Sequence, residues 1–323
     1  MIESPAAPGT APRLARPPHA PERGWSWRLL RSFHVTGVFW YRLHCRVVRI
    51  FPPPFLVVFI YFFQVLFFLC LRRIRAAIAA NLEPVLGPCG WWEKQRRIWR
   101  TMLSFGWCLT ERYERLSTQR PFRLEMENVA HLMEVSGPNA GILFVTAHLG
   151  NYEVGSMLPA EVGSRRVHLV REPEADPKAQ AFIQDVLEGF TQARYRMYFQ
   201  NNDPLQGLAL LDALRRGEIV AVQGDRPRAG TRAIEATLFG KPFPLPPGPA
   251  ALARTSGVPM LPVFIFRERR RRYRVVFRPP IRVTRTADAS VDLAVAMRQV
   301  AAEVEWAIRT APHQWFCFKQ LWP

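Results

Sequence analysis

The 323 residues exceed a small single domain, yet one α/β domain with an N-terminal extension accounts for them. A hydrophobic fraction of 49% and an aromatic fraction of 12% exclude a wholly disordered chain and supply a large core. The formal net charge of +18 attracts polyanions, but the arginines flank apolar runs without zinc-finger spacing or an RNA-binding aromatic signature. A membrane surface is therefore the expected partner, and nucleic acid is not.

In chain order, residues 1–23 are Pro/Ala/Arg-rich and read as a disordered tail without a signal-peptide pattern. Residues 24–120 read as membrane-anchoring and amphipathic helices. Within them Phe55 to Leu71 is an apolar run interrupted only by Gln64, after three prolines and before Arg72, Arg73 and Arg75. Its 17 residues are the short end of what crosses a bilayer, so spanning and dipping both fit, and basic residues on both flanks leave the orientation open. The following segment places Trp91, Trp92, Trp99 and Trp107 on helices suited equally to a headgroup layer or to a core.

Residues 121–323 alternate short β runs with helical stretches, which predicts an α/β fold: a mixed, largely parallel sheet flanked by helices, with the hydrophobic helix as its N-terminal anchor. Strands are expected at 141–147, 167–171, 195–199, 218–223, 260–266 and 273–277. Helices are expected near 152–160, 177–193, 204–216, 247–256 and 290–309. Arg269 to Arg272 form the turn between the last two strands. Lys241 to Pro249 reads as a rigid loop, with Phe239, Phe243 and Leu245 as channel wall or ordinary core.

Five widely spaced cysteines without a C-x-x-C pair argue against a disulfide framework or zinc site. The most informative stretch runs from Thr146 to Glu153, directly after an apolar strand, where open α/β sheets place their ligands. There a neutral His148 imidazole can take the proton of a hydroxyl as that hydroxyl attacks a thioester, while Glu153 fixes the ring tautomer. Arg171 ends a strand on the same edge and offers a fixed cation for phosphate, or a salt bridge with Glu172 or Glu174. After another strand, Gly224-Asp225-Arg226 either aims Arg226 at an anionic group, with Asp225 orienting it, or is a structural turn. His34, His44, His131, His168 and His313 have no acidic partner at useful spacing and receive no chemistry.

His148 to Glu153 resembles the H-x-x-x-x-[DE] motif of glycerolipid acyltransferases, and its context TAHLGNYEVG resembles the bacterial lipid A late acyltransferase family. The likeness continues through Asn81-Leu82, LVREP, LLDALRRGEIVAVQGDRP, FGKPFPLPPGPAALARTSGVPMLPVF and APHQWFCFKQLW, over roughly residues 35 to 322. It implies an acyl carrier protein or acyl-CoA donor, a lipid acceptor hydroxyl, no metal or other cofactor, and the cytoplasmic face of a bacterial inner membrane. The GDR tripeptide and the Pro-rich front depart from a standard lipid A enzyme and leave the acceptor open among lipid A precursors, other glycolipids, an ornithine-type lipid or a pigment precursor. A hydrolase and a non-catalytic membrane scaffold are the rival readings; no G-x-S-x-G elbow supports a serine hydrolase.

Overall fold

The computed structural model describes residues 38–118, 120–152, 165–171, 177–178, 180–182, 184–185, 195–199, 204–226 and 233–322. The expected tail at 1–23 and the expected helix at 152–160, beyond Tyr152, lie outside them.

Among the described residues four helices come first: α1 (Val38–Ile50), α2 (Pro53–Cys70), α3 (Arg72–Leu86) and α4 (Trp91–Thr118). α2 starts with proline in its first turn, where a missing N–H costs no hydrogen bond. Leu56, Ile60 and Gln64 recur every fourth residue and are buried, whereas Val58, Phe62, Val65 and Leu69 form an exposed stripe. Gln64, the polar break in the apolar run, turns inward and donates to the Trp99 carbonyl on α4 at 3.1 Å. The expected anchor is thus a helix lying along α4 with one apolar side outward. No single described helix is long and apolar enough to cross a membrane; α2 and α3 pass that test only as a pair, bent by 89°.

The tryptophans divide. Trp91 and Trp92 are exposed, Trp99 packs edge-on against Phe68, and Trp107 lies beneath the Arg267 guanidinium.

The rest of the described chain runs β1 (Arg123–Glu127), α5 (Val129–Val135), β2 (Ile142–Thr146), β3 (Val167–Arg171), β4 (Tyr195–Phe199), α6 (Pro204–Arg215), β5 (Ile219–Gln223), β6 (Ile234–Leu238), β7 (Lys241–Leu245), α7 (Gly248–Ser256), β8 (Met260–Arg269), β9 (Arg272–Phe277) and α8 (Ala289–Thr310). Seven strands form one sheet in the order β1-β9-β8-β2-β5-β3-β4, parallel except where β9 meets β8. This is the expected mixed, largely parallel sheet. Alternate residues of β2 enter two cores: Leu143 and Val145 meet Val300 and Val304 of α8, and Ile142 and Phe144 join the cluster containing Leu132 and Val135 of α5.

The expected loop at Lys241 to Pro249 is instead a strand followed by the start of α7. β6 and β7 form a hairpin turning at Phe239 and Gly240, both at positive φ. In this two-stranded ribbon Pro242 and Pro244 point outward while Phe243 and Leu245 are buried, a placement open to proline only on an edge. Phe243 and Leu245 are core, packed toward Trp322 and α8.

Candidate functional site

β2 delivers the chain to His148 at the carboxyl edge of the sheet, and three backbone contacts then fix the turn. The His148 carbonyl accepts from the Phe316 N–H at 2.9 Å, Leu149 bridges Trp315, and the Gly150 N–H donates to the Gln314 carbonyl at 2.8 Å. Gly150 sits at φ +59°, and a Cβ there would lie 1.9 Å from the Ile265 carbonyl oxygen, so only glycine fits. The next residue, Asn151, is buried and donates to the Cys108 carbonyl at 3.2 Å and to the Tyr273 hydroxyl at 3.0 Å. The turn is therefore held from α4, from β8 and β9, and from residues 314–316.

β5 lies beside β2 and ends level with it. The Gly224 N–H donates to the Thr146 carbonyl at 2.8 Å, and a Cβ on Gly224 would come within 2.8 Å of Val145. That close approach sets Asp225, only 1% exposed, directly against His148. One Asp225 oxygen lies 2.8 Å from His148 Nδ1, and the other accepts from the His148 backbone N–H at 3.1 Å. Burial alone would push the Asp225 carboxyl up, but the charges of His148 and Arg226 and the two His148 hydrogen bonds outweigh it and hold the group at about 2. An ionised carboxylate only accepts hydrogen bonds, so Nδ1 carries a proton, and in the neutral ring Nε2 presents its lone pair.

The role expected of Asp225, holding Arg226, is joined by a second one. Sequence reasoning gave the orienting of His148 to Glu153; in the structure Asp225 occupies Nδ1. Glu153 lies outside the described residues. Arg226 stays beside Asp225, its Nε 3.6 Å from the carboxylate, and reaches Cys317 Sγ at 3.6 Å through Nη1. Arg171 ends β3, which neighbours β5, so it stands on the same sheet edge as His148, about 10 Å to the side at the usual strand spacing.

A second buried cluster flanks the turn on its β8 side. Glu111 of α4, fully buried, accepts from Arg267 Nη2 at 2.7 Å and Nε at 3.0 Å, and from the Tyr273 hydroxyl. Arg267 is also clasped along its backbone by Gln314, which accepts from its N–H and donates to its carbonyl, both at 2.8 Å. Sequence reasoning missed Glu111, Asn151, Gln314 and Tyr273 as supports of the site. Only Asn151 carried a local signal, lying inside the motif itself.

His168 also departs from expectation: it does have an acidic partner, Glu218, at 2.7 Å, and its other nitrogen lies 3.2 Å from the Tyr198 hydroxyl. Glu218 immediately precedes β5, at the opposite end of the sheet from His148, so this pair is remote from the site.

Against α4, close to the turn, lies an apolar cavity of about 260 Å³. Its wall includes Phe59, Ile60 and Phe63 of α2, Phe105 and Gly106 of α4, and Phe318. Phe105 packs edge-on against both Phe316 and Phe318, and Phe316 is the residue bonded to the His148 carbonyl.

Among solved structures, the crystal structure of the 1-acyl-sn-glycerophosphate (LPA) acyltransferase PlsC from Thermotoga maritima is similar at 14% identity, covering 81% of this chain and 97% of that one with a TM-score of 0.37. Direct comparison with curated protein sequences found no match. The sequence model of the family described as "bacterial lipid A biosynthesis acyltransferase" matches residues 22–323, nearly the whole chain. The chain belongs to that family and is an acyltransferase.

Proposed function

We propose that the protein transfers a fatty acyl chain from a thioester, carried by acyl carrier protein or coenzyme A, to a hydroxyl of a lipid A precursor or related glycolipid. The observation that carries this reading is the His148–Asp225 contact, which leaves Nε2 as the basic nitrogen at the carboxyl edge of the sheet. Nε2 takes the proton of the acceptor hydroxyl as its oxygen attacks the thioester carbonyl. The C–S bond then breaks, and the leaving sulfur recovers that proton from the imidazolium. Asp225 keeps the ring in the required tautomer and stabilises its charged form. Glu153, five residues after His148 in the sequence, is retained as the motif's own carboxylate, and Arg171 and Arg226 as holders of anionic groups on donor or acceptor.

The apolar cavity beside α4 supports an acyl substrate, since its walls are apolar and its Phe105 packs on Phe316, the residue bonded to the His148 carbonyl. The exposed stripe on α2, together with Trp91 and Trp92, supports attachment to a membrane, which we propose is the cytoplasmic face of a bacterial inner membrane.

The test is acyl transfer by purified protein from radiolabelled acyl carrier protein to a bacterial lipid extract, beside His148→Ala. Wild type should yield a new acylated lipid, with the variant lower by about 10²–10⁴-fold. Release of free fatty acid alone would mean hydrolysis, and equal activity of the two proteins would remove His148 from the chemistry.

A further inference from the structure

The β8–β9 hairpin ends in a recess of about 480 Å³ lined by Pro121 and six arginines: Arg120, Arg123 and Arg269 to Arg272. Nearby carboxylates answer only part of this charge. Glu114 meets Arg270 at 3.3 Å and Arg120 at 3.6 Å, and Arg272 meets Glu125 at 2.7 Å and Glu268 at 3.6 Å. Arg271 donates to the Pro121 carbonyl. Among the described residues, Arg123 and Arg269 have no carboxylate within ion-pair distance, and both are exposed.

The strand register sharpens the imbalance. Arg272 pairs with Arg123 on one side and with Arg269 on the other, so three arginines stand in one row across β1, β9 and β8. Like charges directly opposite each other on neighbouring strands are destabilising, and such a row is relieved by an anion bound across it. Behind the row the pKa of Arg115 is lowered, first by burial and then by Arg271, which marks the local positive field.

The recess opens on the edge of the sheet that carries His148. β8 runs parallel to β2, Ile265 pairs with Gly150, and Arg269 lies four residues further on, about 13 Å at the strand rise. Close by is exposed apolar surface. Tyr41 packs on Tyr113 and Cys45 lies beside Ser117, so α1 runs with α4, and its end points the way the chain leaves α4 toward Arg120. There Ile50, Phe51 and Phe55 are exposed, with the two phenylalanine rings stacked at 4.0 Å.

We infer that the arginine recess binds the phosphates of lipid headgroups in an anionic bilayer, seating the protein with the Ile50–Phe55 corner in the acyl region and the His148 edge facing the membrane. Guanidinium forks suit phosphate oxygens, and apolar side chains next to them suit the layer just beneath. The site needs no turnover, so its test is separate from that of the reaction.

The full-length protein and the double variant Arg123→Gln/Arg269→Gln are compared by co-sedimentation with vesicles of phosphatidylcholine alone or mixed with phosphatidylglycerol. Neither substitution removes an ion pair, and relieving the arginine row should raise stability, so a melting temperature that does not fall confirms the fold. At low salt the variant should bind the anionic vesicles about thirtyfold more weakly, from two basic groups at the usual membrane-surface value. It should match the parent on phosphatidylcholine, and added salt should erase the difference. Equal partitioning onto anionic vesicles overturns the proposal. If that is accompanied by a raised KM for acyl carrier protein, the surface belongs to the acidic carrier instead.

Discussion

Asp225 and Glu111 are both withdrawn from water, one on each side of the turn that holds His148, and they end in opposite states. Glu111 is saturated by the Arg267 fork and the Tyr273 hydroxyl, with Asn151 donating to that hydroxyl in turn. Asp225 accepts its hydrogen bonds from a single residue, with Arg226 as a longer ion pair at 3.6 Å; the remaining ring nitrogen of that residue is left available, and the His148 side chain keeps 18% of its surface exposed. A buried carboxylate with every partner inside the fold is structural; one whose partner has an unused lone pair at a cleft can do chemistry.

That division can be broken by experiment. Glu111→Gln leaves the Arg267 charge without its partner and should cost about 3–5 kcal/mol in denaturant titration, while transfer per folded molecule at low temperature stays near wild type. Lost transfer with an unchanged melt would reverse the two roles. Asp225→Asn permits the wrong histidine tautomer and should lower kcat by about a hundredfold or more with less effect on KM.

The same carboxylate should be visible in acid. Its folded pKa of about 2 lies below the ordinary value near 3.9, so near pH 3 the unfolded chain binds more protons and stability rises with pH. The contribution, about 2–3 kcal/mol, is complete above about pH 5 and is lost as pH falls through 2. Thermal melts of Asp225→Asn should lack this acid-dependent component; an identical acid profile would show that the pairing is not made in solution. The smallest effect sharpens the substrate side. Gly106 lines the apolar cavity with its missing Cβ 3.8 Å from Ile60, so Gly106→Leu should shift relative kcat/KM toward shorter acyl thioesters by about tenfold. Unchanged chain preference would place the acyl chain elsewhere.

The sheet was readable where burial on both faces leaves uninterrupted apolar runs, as in ILFVT of β2 and IVAVQ of β5. β1, RLEME, escaped because an edge strand carries charge, and β7 escaped because Pro242 and Pro244 read as a loop until β6 is seen beside them. His148 was legible from its place after a strand. Its contact with Asp225, 77 residues away, depends on β2 and β5 being neighbours, which no local spacing encodes. The Glu111–Arg267 pair spans 156 residues and was invisible for the same reason.

Asn81 of α3, buried, donates to the Cys317 and Lys319 carbonyls and accepts from the Leu321 N–H, tying the helical layer to the segment that clasps the His148 turn. The order of synthesis gives this tie a meaning in time. A nascent chain made through Thr310 already contains every strand of the sheet, yet lacks Gln314, Trp315 and Phe316, the residues that set the turn. Residues 314–316 therefore work as an ignition key: the His148 turn is set only after the helices and sheet that surround it have been made.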